Sequence, residues 1–195
     1  WESRTRLMPM TVTIVSIIAI VWVYLALRPR RSLPPEPGQI HPAAYSGLRE
    51  IFFQTKGEDL SLEGAERLVY GASFEVGFPP GIATVAALAD GTASLYLETG
   101  GGVIGAGRHE SVHRRAIAFV DCAVEHLELG AQVTESPPKP SKGEVRFHWL
   151  SDDGIRSAVA LELALEAGNH PLSPLYRAGQ ELLEQIRLAN RPVAP

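Results

Sequence analysis

The chain has 195 residues, with 18 Lys and Arg against 22 Asp and Glu, a formal charge of −4 and one cysteine. One cysteine excludes an internal disulfide framework, and an acidic balance without a basic stripe excludes nucleic acid as a partner. Once the amino-terminal apolar run is set aside, what remains is enough for one ordinary core and not for two.

That run comes first in the chain. The uncharged stretch from Thr11 to Leu27 (TVTIVSIIAIVWVYLAL) is closed by Arg4 and Arg6 on one side and by Arg28, Arg30 and Arg31 on the other. Counted from Leu7, a helix rising about 1.5 Å per residue crosses a ~30 Å hydrocarbon core. Trp22 and Tyr24 stand just before the second arginine group, as an interfacial aromatic belt would. A cleaved signal peptide has a core of roughly 7–15 residues and small residues at its cleavage site; here bulky residues and RPRR follow. The sequence therefore predicts residues 1–27 to be an amino-terminal segment with one transmembrane helix, in the inner (cytoplasmic) membrane. Membrane lipid and other integral membrane subunits are the expected partners. Three arginines after the span against two before it place the carboxyl domain on the cytoplasmic side, with the periplasm as the alternative. The lone thiol of Cys122 suits a reducing compartment.

Residues 28–42 (RPRRSLPPEPGQIHP) are proline-rich and read as a semi-stiff extended linker. A single domain over residues 43–195 follows. An amphipathic helix is expected at Tyr45–Gln54, with Leu48, Ile51 and Phe52 on one side. Strands are expected at Leu68–Val76 and Ile82–Ala89, and Asp90-Gly91 is a strong hairpin signal leading into Thr92–Glu98. After a glycine-rich loop, His109–Glu128 reads as a helix, with Val112, Ala116, Phe119, Val120, Ala123 and Leu127 at three- to four-residue spacing and Gly130 as its cap. A second proline-rich break spans Glu135–Gly143. In Glu144–Leu150, Val145, Phe147 and Trp149 alternate with Arg146 and His148, the pattern of a strand. Asp153-Gly154 turns into Ile155–Leu165, where ALELALEA suits a helix as well as a strand. Ser173-Pro174 opens a final helix through Leu188.

The order α-β-β-β-α-β-β-α predicts an α+β fold, a five-stranded mainly antiparallel sheet packed with about three helices. This layout resembles the profilin-like family of small domains, including the roadblock and longin modules, over residues 45–189. The resemblance implies a place in adaptor or regulatory assemblies, but it is one of architecture and implies no site residues. The stretch Ile82–Gly107 also resembles uncharacterised bacterial proteins, which imply no function.

Two strings carry candidate chemistry. His109-Glu110-Ser111-Val112-His113 matches H-E-x-x-H, in which His109 and His113 on one helical face could hold zinc, with Glu110 polarising a bound water. Against that stand its place at the very start of a helix, the adjacent Arg114 and Arg115, and the want of a third ligand. The bland alternative is a solvated first turn with Glu110 paired to Arg114. Gly100–Gly107 contains G-x-G-x-x-G at Gly100, Gly102 and Gly105, and with Arg108 it could cradle a small anion at a helix amino end. The alternative is a backbone that needs positive φ or close approach. Cys122 reads as a small core residue, and the remaining histidines carry no motif.

No catalytic residue and no cofactor are expected. The predicted function is a non-catalytic, single-pass accessory subunit packed into a larger membrane complex, respiratory, photosynthetic or secretory. The alternatives are a tethered regulator that binds an anion or a small GTPase, and a zinc peptidase at His109 and His113.

Overall fold

The computed structural model describes residues 40–60, 62, 67–134 and 136–190. These form an α+β domain around one antiparallel sheet of seven strands, where five were expected. In chain order the elements are α1 (Tyr45–Gln54), β1 (Gly71–Phe78), β2 (Gly81–Leu88), β3 (Ala93–Leu97), β4 (Gly102–Val103), α2 (Glu110–Glu125), β5 (Ala131–Val133), β6 (Glu144–Ser151), β7 (Gly154–Leu161), α3 (Glu162–Glu166) and α4 (Ser173–Ala189). The strands lie side by side as β4-β3-β2-β1-β6-β7-β5.

The two additional strands are short, which is why period-two alternation does not reveal them. Gly102 and Val103 fold back on Tyr96 and Leu95, and Ala131–Val133 gain a partner only when β7 is brought beside them. The ambiguous stretch after Asp153-Gly154 divides: Gly154–Leu161 is strand and Glu162–Glu166 is a short helix, giving four helices instead of three.

No helix among the described residues is long and apolar enough to cross a membrane. The expected span at Thr11–Leu27, with its interfacial residues Trp22, Tyr24, Arg28, Arg30 and Arg31, lies outside the described residues. The expected five-stranded fold headed by a transmembrane helix is corrected to a seven-stranded α+β domain with no membrane-spanning helix among the described residues.

Local chemistry accounts for most boundaries. Gly91 at φ 81° and Gly154 at φ 110° supply the positive φ that the two hairpin turns require, and Asp90 Oδ1 accepts from the Thr92 amide at 2.8 Å. The alternation in β6 is realised: Val145, Phe147 and Trp149 all point to the α2 and α4 side and are buried. There Phe74 meets Phe119 and Tyr176 edge-on at 6.0 and 6.1 Å, and Trp149 Nε1 donates to the Ala123 carbonyl at 2.8 Å. Each buried phenylalanine contributes roughly 1.5–3 kcal/mol relative to exposure.

The opposite face of the sheet is covered by α1, and its buried stripe is Tyr45, Arg49 and Phe52. The expected stripe included Ile51, which is 64% exposed. The reason lies in the sheet beneath, which offers a carboxylate where an aliphatic side chain would be paired with nothing.

Candidate functional site

Strand register builds the polar face from residues distant in sequence. Thr84, Glu75 and Arg146 stand opposite one another across β2, β1 and β6, and Ser73, His148 and Ser157 form the next row across β1, β6 and β7. Glu75 is fully buried at the centre. Arg49 grips it with two hydrogen bonds, Nε to Oε1 at 2.7 Å and Nη2 to Oε2 at 3.0 Å. Thr84 Oγ1 donates to Oε1 at 3.3 Å and His148 Nε2 donates to Oε2 at 3.2 Å. The Tyr45 hydroxyl joins Thr84 Oγ1 at 2.9 Å. Phe53 closes the group, with its ring 4.7 Å from the Arg49 guanidinium and edge-on to His148 at 4.9 Å.

A buried carboxylate survives only with such compensation. Burial pushes the Glu75 carboxyl up, but the hydrogen bonds and charges of His148 and Arg49 outweigh it and bring it down to about 2. For His148, burial pushes the imidazole below its ordinary value by more than Glu75 raises it. The neutral ring then carries its proton on Nε2, where it meets Glu75. Burial also holds the Tyr45 and Tyr96 phenols far above their usual range.

Nδ1 of His148 is left as an acceptor without a donor. The hydroxyls of Ser73 and Ser157, which flank it in the sheet, are buried and equally without a hydrogen-bond partner among the described residues, as is the Tyr96 hydroxyl. Glu75, His148 and a serine thus stand in the order of a carboxylate–histidine–hydroxyl relay. No hydroxyl engages Nδ1, and the His148 side chain is wholly shut off from solvent. In this arrangement the group can fasten α1 to the sheet but cannot reach a substrate.

It also fastens a strap. The proline-rich break between β5 and β6 crosses this face instead of leaving it, and Arg49 Nη2 donates to the Pro137 carbonyl at 2.7 Å. Lys139 pairs with Glu98 at 2.7 Å and lies over the Tyr45 ring. The Gly143 amide donates to the Gly77 carbonyl at 2.9 Å. Between α1, the strap and the β5–β7 side of the sheet runs an open cleft of about 620 Å³, rimmed by Ser46, Glu50, Gln54, Thr134 and Ser136. A wider hollow of about 1100 Å³ continues it past Phe53 and Ile155 toward Arg67 and Asp152.

The residues singled out from sequence lie elsewhere. Gly100, Gly102 and Gly105 all have positive φ, and two of their amides serve the chain itself: Gly100 N donates to the Leu97 carbonyl at 2.9 Å and Gly105 N to Ser94 Oγ at 3.3 Å. A side chain at Gly100 would strike Pro42, and one at Gly102 the backbone of Leu95 and Tyr96. Arg108 is exposed beside this loop. His109 precedes α2 as its cap, with a buried Nε2 that has no hydrogen-bond partner among the described residues. His113, one turn on, lies against Gly91. Glu110 pairs with Arg114 at 3.7 Å, both well exposed.

Among the described residues, the group with metal-ligand spacing is Cys122, Glu125 and His126, at the other end of the same helix. Burial pushes the Cys122 thiol up, and the Glu125 and Glu181 carboxylates push the same way. The polar centre of Arg49, Glu75 and His148 escaped the sequence reading altogether. Its one visible signal is the acid inside an otherwise apolar strand, Ser73-Phe74-Glu75-Val76. Compared with protein-family models, curated proteins and solved structures, the chain matches none.

Proposed function

We propose that the domain is a non-catalytic interaction subunit, which docks on another protein along the free side of β7. The observation that carries this reading is an apolar ridge beside an unpaired strand edge. β5 pairs only with Ile155, Arg156 and Ser157, so among the described residues no strand covers the outer edge of β7 from Ala158 to Leu161. Along that stretch Val159 and Leu161 are 44% and 64% exposed, and Leu163 just beyond is 80% exposed.

Natural sheet edges are ordinarily blunted by charge, proline or a covering loop. An edge that instead displays aliphatic side chains at alternate positions suits a partner strand, whose backbone completes the ladder while its side chains meet the ridge. The sealed Glu75–His148 group favours binding over turnover, because its polar atoms hold structure together out of solvent's reach.

The test is affinity purification of the full chain from the cells that make it, followed by native mass spectrometry. A protein partner in fixed stoichiometry is expected. Leu161→Lys combined with Leu163→Glu should release it while leaving the unfolding free energy within about 0.5 kcal/mol, as for other surface changes. A chain that is purely monomeric, or a partner retained unchanged by the double variant, rejects the reading.

A further inference from the structure

We propose that Cys122, Glu125 and His126 form a binding site for one thiophilic divalent cation of the zinc type. One donor atom from each side chain lies within 4.8 Å of the other two. The three supply a sulfur, an oxygen and a nitrogen, the mixed donor set that zinc accepts. Cys122 stands in the last turn of α2 and His126, four positions on, is the residue that caps it, close to the spacing with which an H-E-x-x-H string holds zinc. The sequence motif marks the amino end of α2, whereas the structure gathers ligand types at its carboxyl end.

His126 Nδ1 lies 3.9 Å from the Cys122 sulfur and 2.8 Å from the Cys122 carbonyl, so the ring nitrogen nearest the thiol gives up a backbone hydrogen bond when it ligates a cation. Two further features suit a cation there. The carboxyl end of a helix carries partial negative charge. The Glu125 carboxylate has no ion pair among the described residues, whereas Glu181 on α4 is already paired with Arg115 at 2.7 Å.

Cys122 and His126 are half-buried and Glu125 is exposed, so a cation reaches the group from solvent without unfolding. On binding, a metal–sulfur bond forms as the S–H bond breaks, and the proton leaves to solvent. No oxidant or reductant is involved. Three protein ligands leave a fourth position for water, so the site is open and not a closed structural clamp.

The test is titration of the purified full chain with zinc chloride by calorimetry, with cobalt(II) chloride as a spectroscopic probe. One zinc per chain is expected, together with a sulfur-to-cobalt charge-transfer band. Cys122→Ser should abolish the band and weaken zinc by on the order of 100-fold, and Glu125→Gln should weaken it less. Circular dichroism verifies that each variant is folded, and the exposed Glu125 keeps the test decisive if Cys122→Ser is not. The absence of stoichiometric zinc overturns the proposal. So does binding that survives both substitutions or that disappears with His109→Ala and His113→Ala.

Discussion

Arg49 on α1 and Glu75 on β1 form a two-pronged ion pair, Nε to Oε1 at 2.7 Å and Nη2 to Oε2 at 3.0 Å, with the Glu75 side chain entirely out of water. Removing one partner of such a pair leaves the other charge stranded and costs about 3–5 kcal/mol. Arg49→Met is therefore expected to destabilise by that amount in urea unfolding. Arg49→Met with Glu75→Leu should cost less than the sum of the two single changes, by a coupling of roughly 0.5–3 kcal/mol. Strict additivity would mean that the pair does not hold the face together.

The same centre sets a pH dependence. Glu75 is lowered to about 2 in the folded chain, below its unfolded value of about 4.3. Its contribution is complete above the unfolded value and lost as pH falls from about 4.3 toward 2. His148 is likewise lowered on folding, chiefly by burial. The unfolded chain takes up this proton first, so stability begins to decline as pH drops below about 6.5. Urea midpoints measured from pH 8 downward should show the earlier decline, and His148→Gln should remove it while leaving the later one. A flat profile to pH 4.5 in the unaltered chain would contradict the buried neutral imidazole.

Two helical glycines are predicted to respond oppositely to alanine. A methyl at Gly47, on the exposed side of α1, meets nothing within 4 Å, so Gly47→Ala should stabilise by roughly 0.5–1 kcal/mol through the unfolded chain. A methyl at Gly179 on α4 would lie 2.6 Å from the Phe74 ring, and Gly179→Ala should destabilise by about 1–3 kcal/mol through overpacking. Thermal and urea unfolding of the two variants compare them directly. A neutral Gly179→Ala would show that α4 does not approach the sheet so closely.

The strap between β5 and β6 offers a kinetic readout. A side chain at Gly77 would meet the carbonyl of Ser141, and Arg49 holds the Pro137 carbonyl. Gly77→Ala and Arg49→Met should each loosen the segment and speed tryptic cleavage after Lys142, measured under native conditions by mass spectrometry. Unchanged cleavage in both variants would mean that the strap is held by other contacts.

Much of the architecture was legible along the chain. The helix Tyr45–Gln54, the turns at Asp90-Gly91 and Asp153-Gly154, the alternation of Val145, Phe147 and Trp149, and the start of the last helix at Ser173-Pro174 are consequences of local dihedral preference and hydrophobic period. These act over a few residues, so a linear reading finds them. Strands of two or three residues carry no period, so β4 and β5 were invisible until a neighbouring strand supplied their hydrogen bonds.

The candidate sites were decided at longer range. Arg49 and Glu75 are 26 residues apart, and Glu75 and His148 are 73 apart. Nothing in either neighbourhood states that the other charge will arrive, so α1 read as presenting Ile51 inward instead of Arg49. Likewise, His109 and His113 display a motif in the string, while Cys122, Glu125 and His126 acquire their charged surroundings only when α4 brings Glu181 alongside. Sequence alone determined where the hairpins turn and which of the longer stretches become helix or strand, because those choices are made locally in backbone geometry. Which polar groups are buried, which edge stays open and which ligands converge depended on tertiary packing, because burial and charge pairing are properties of segments brought together from afar.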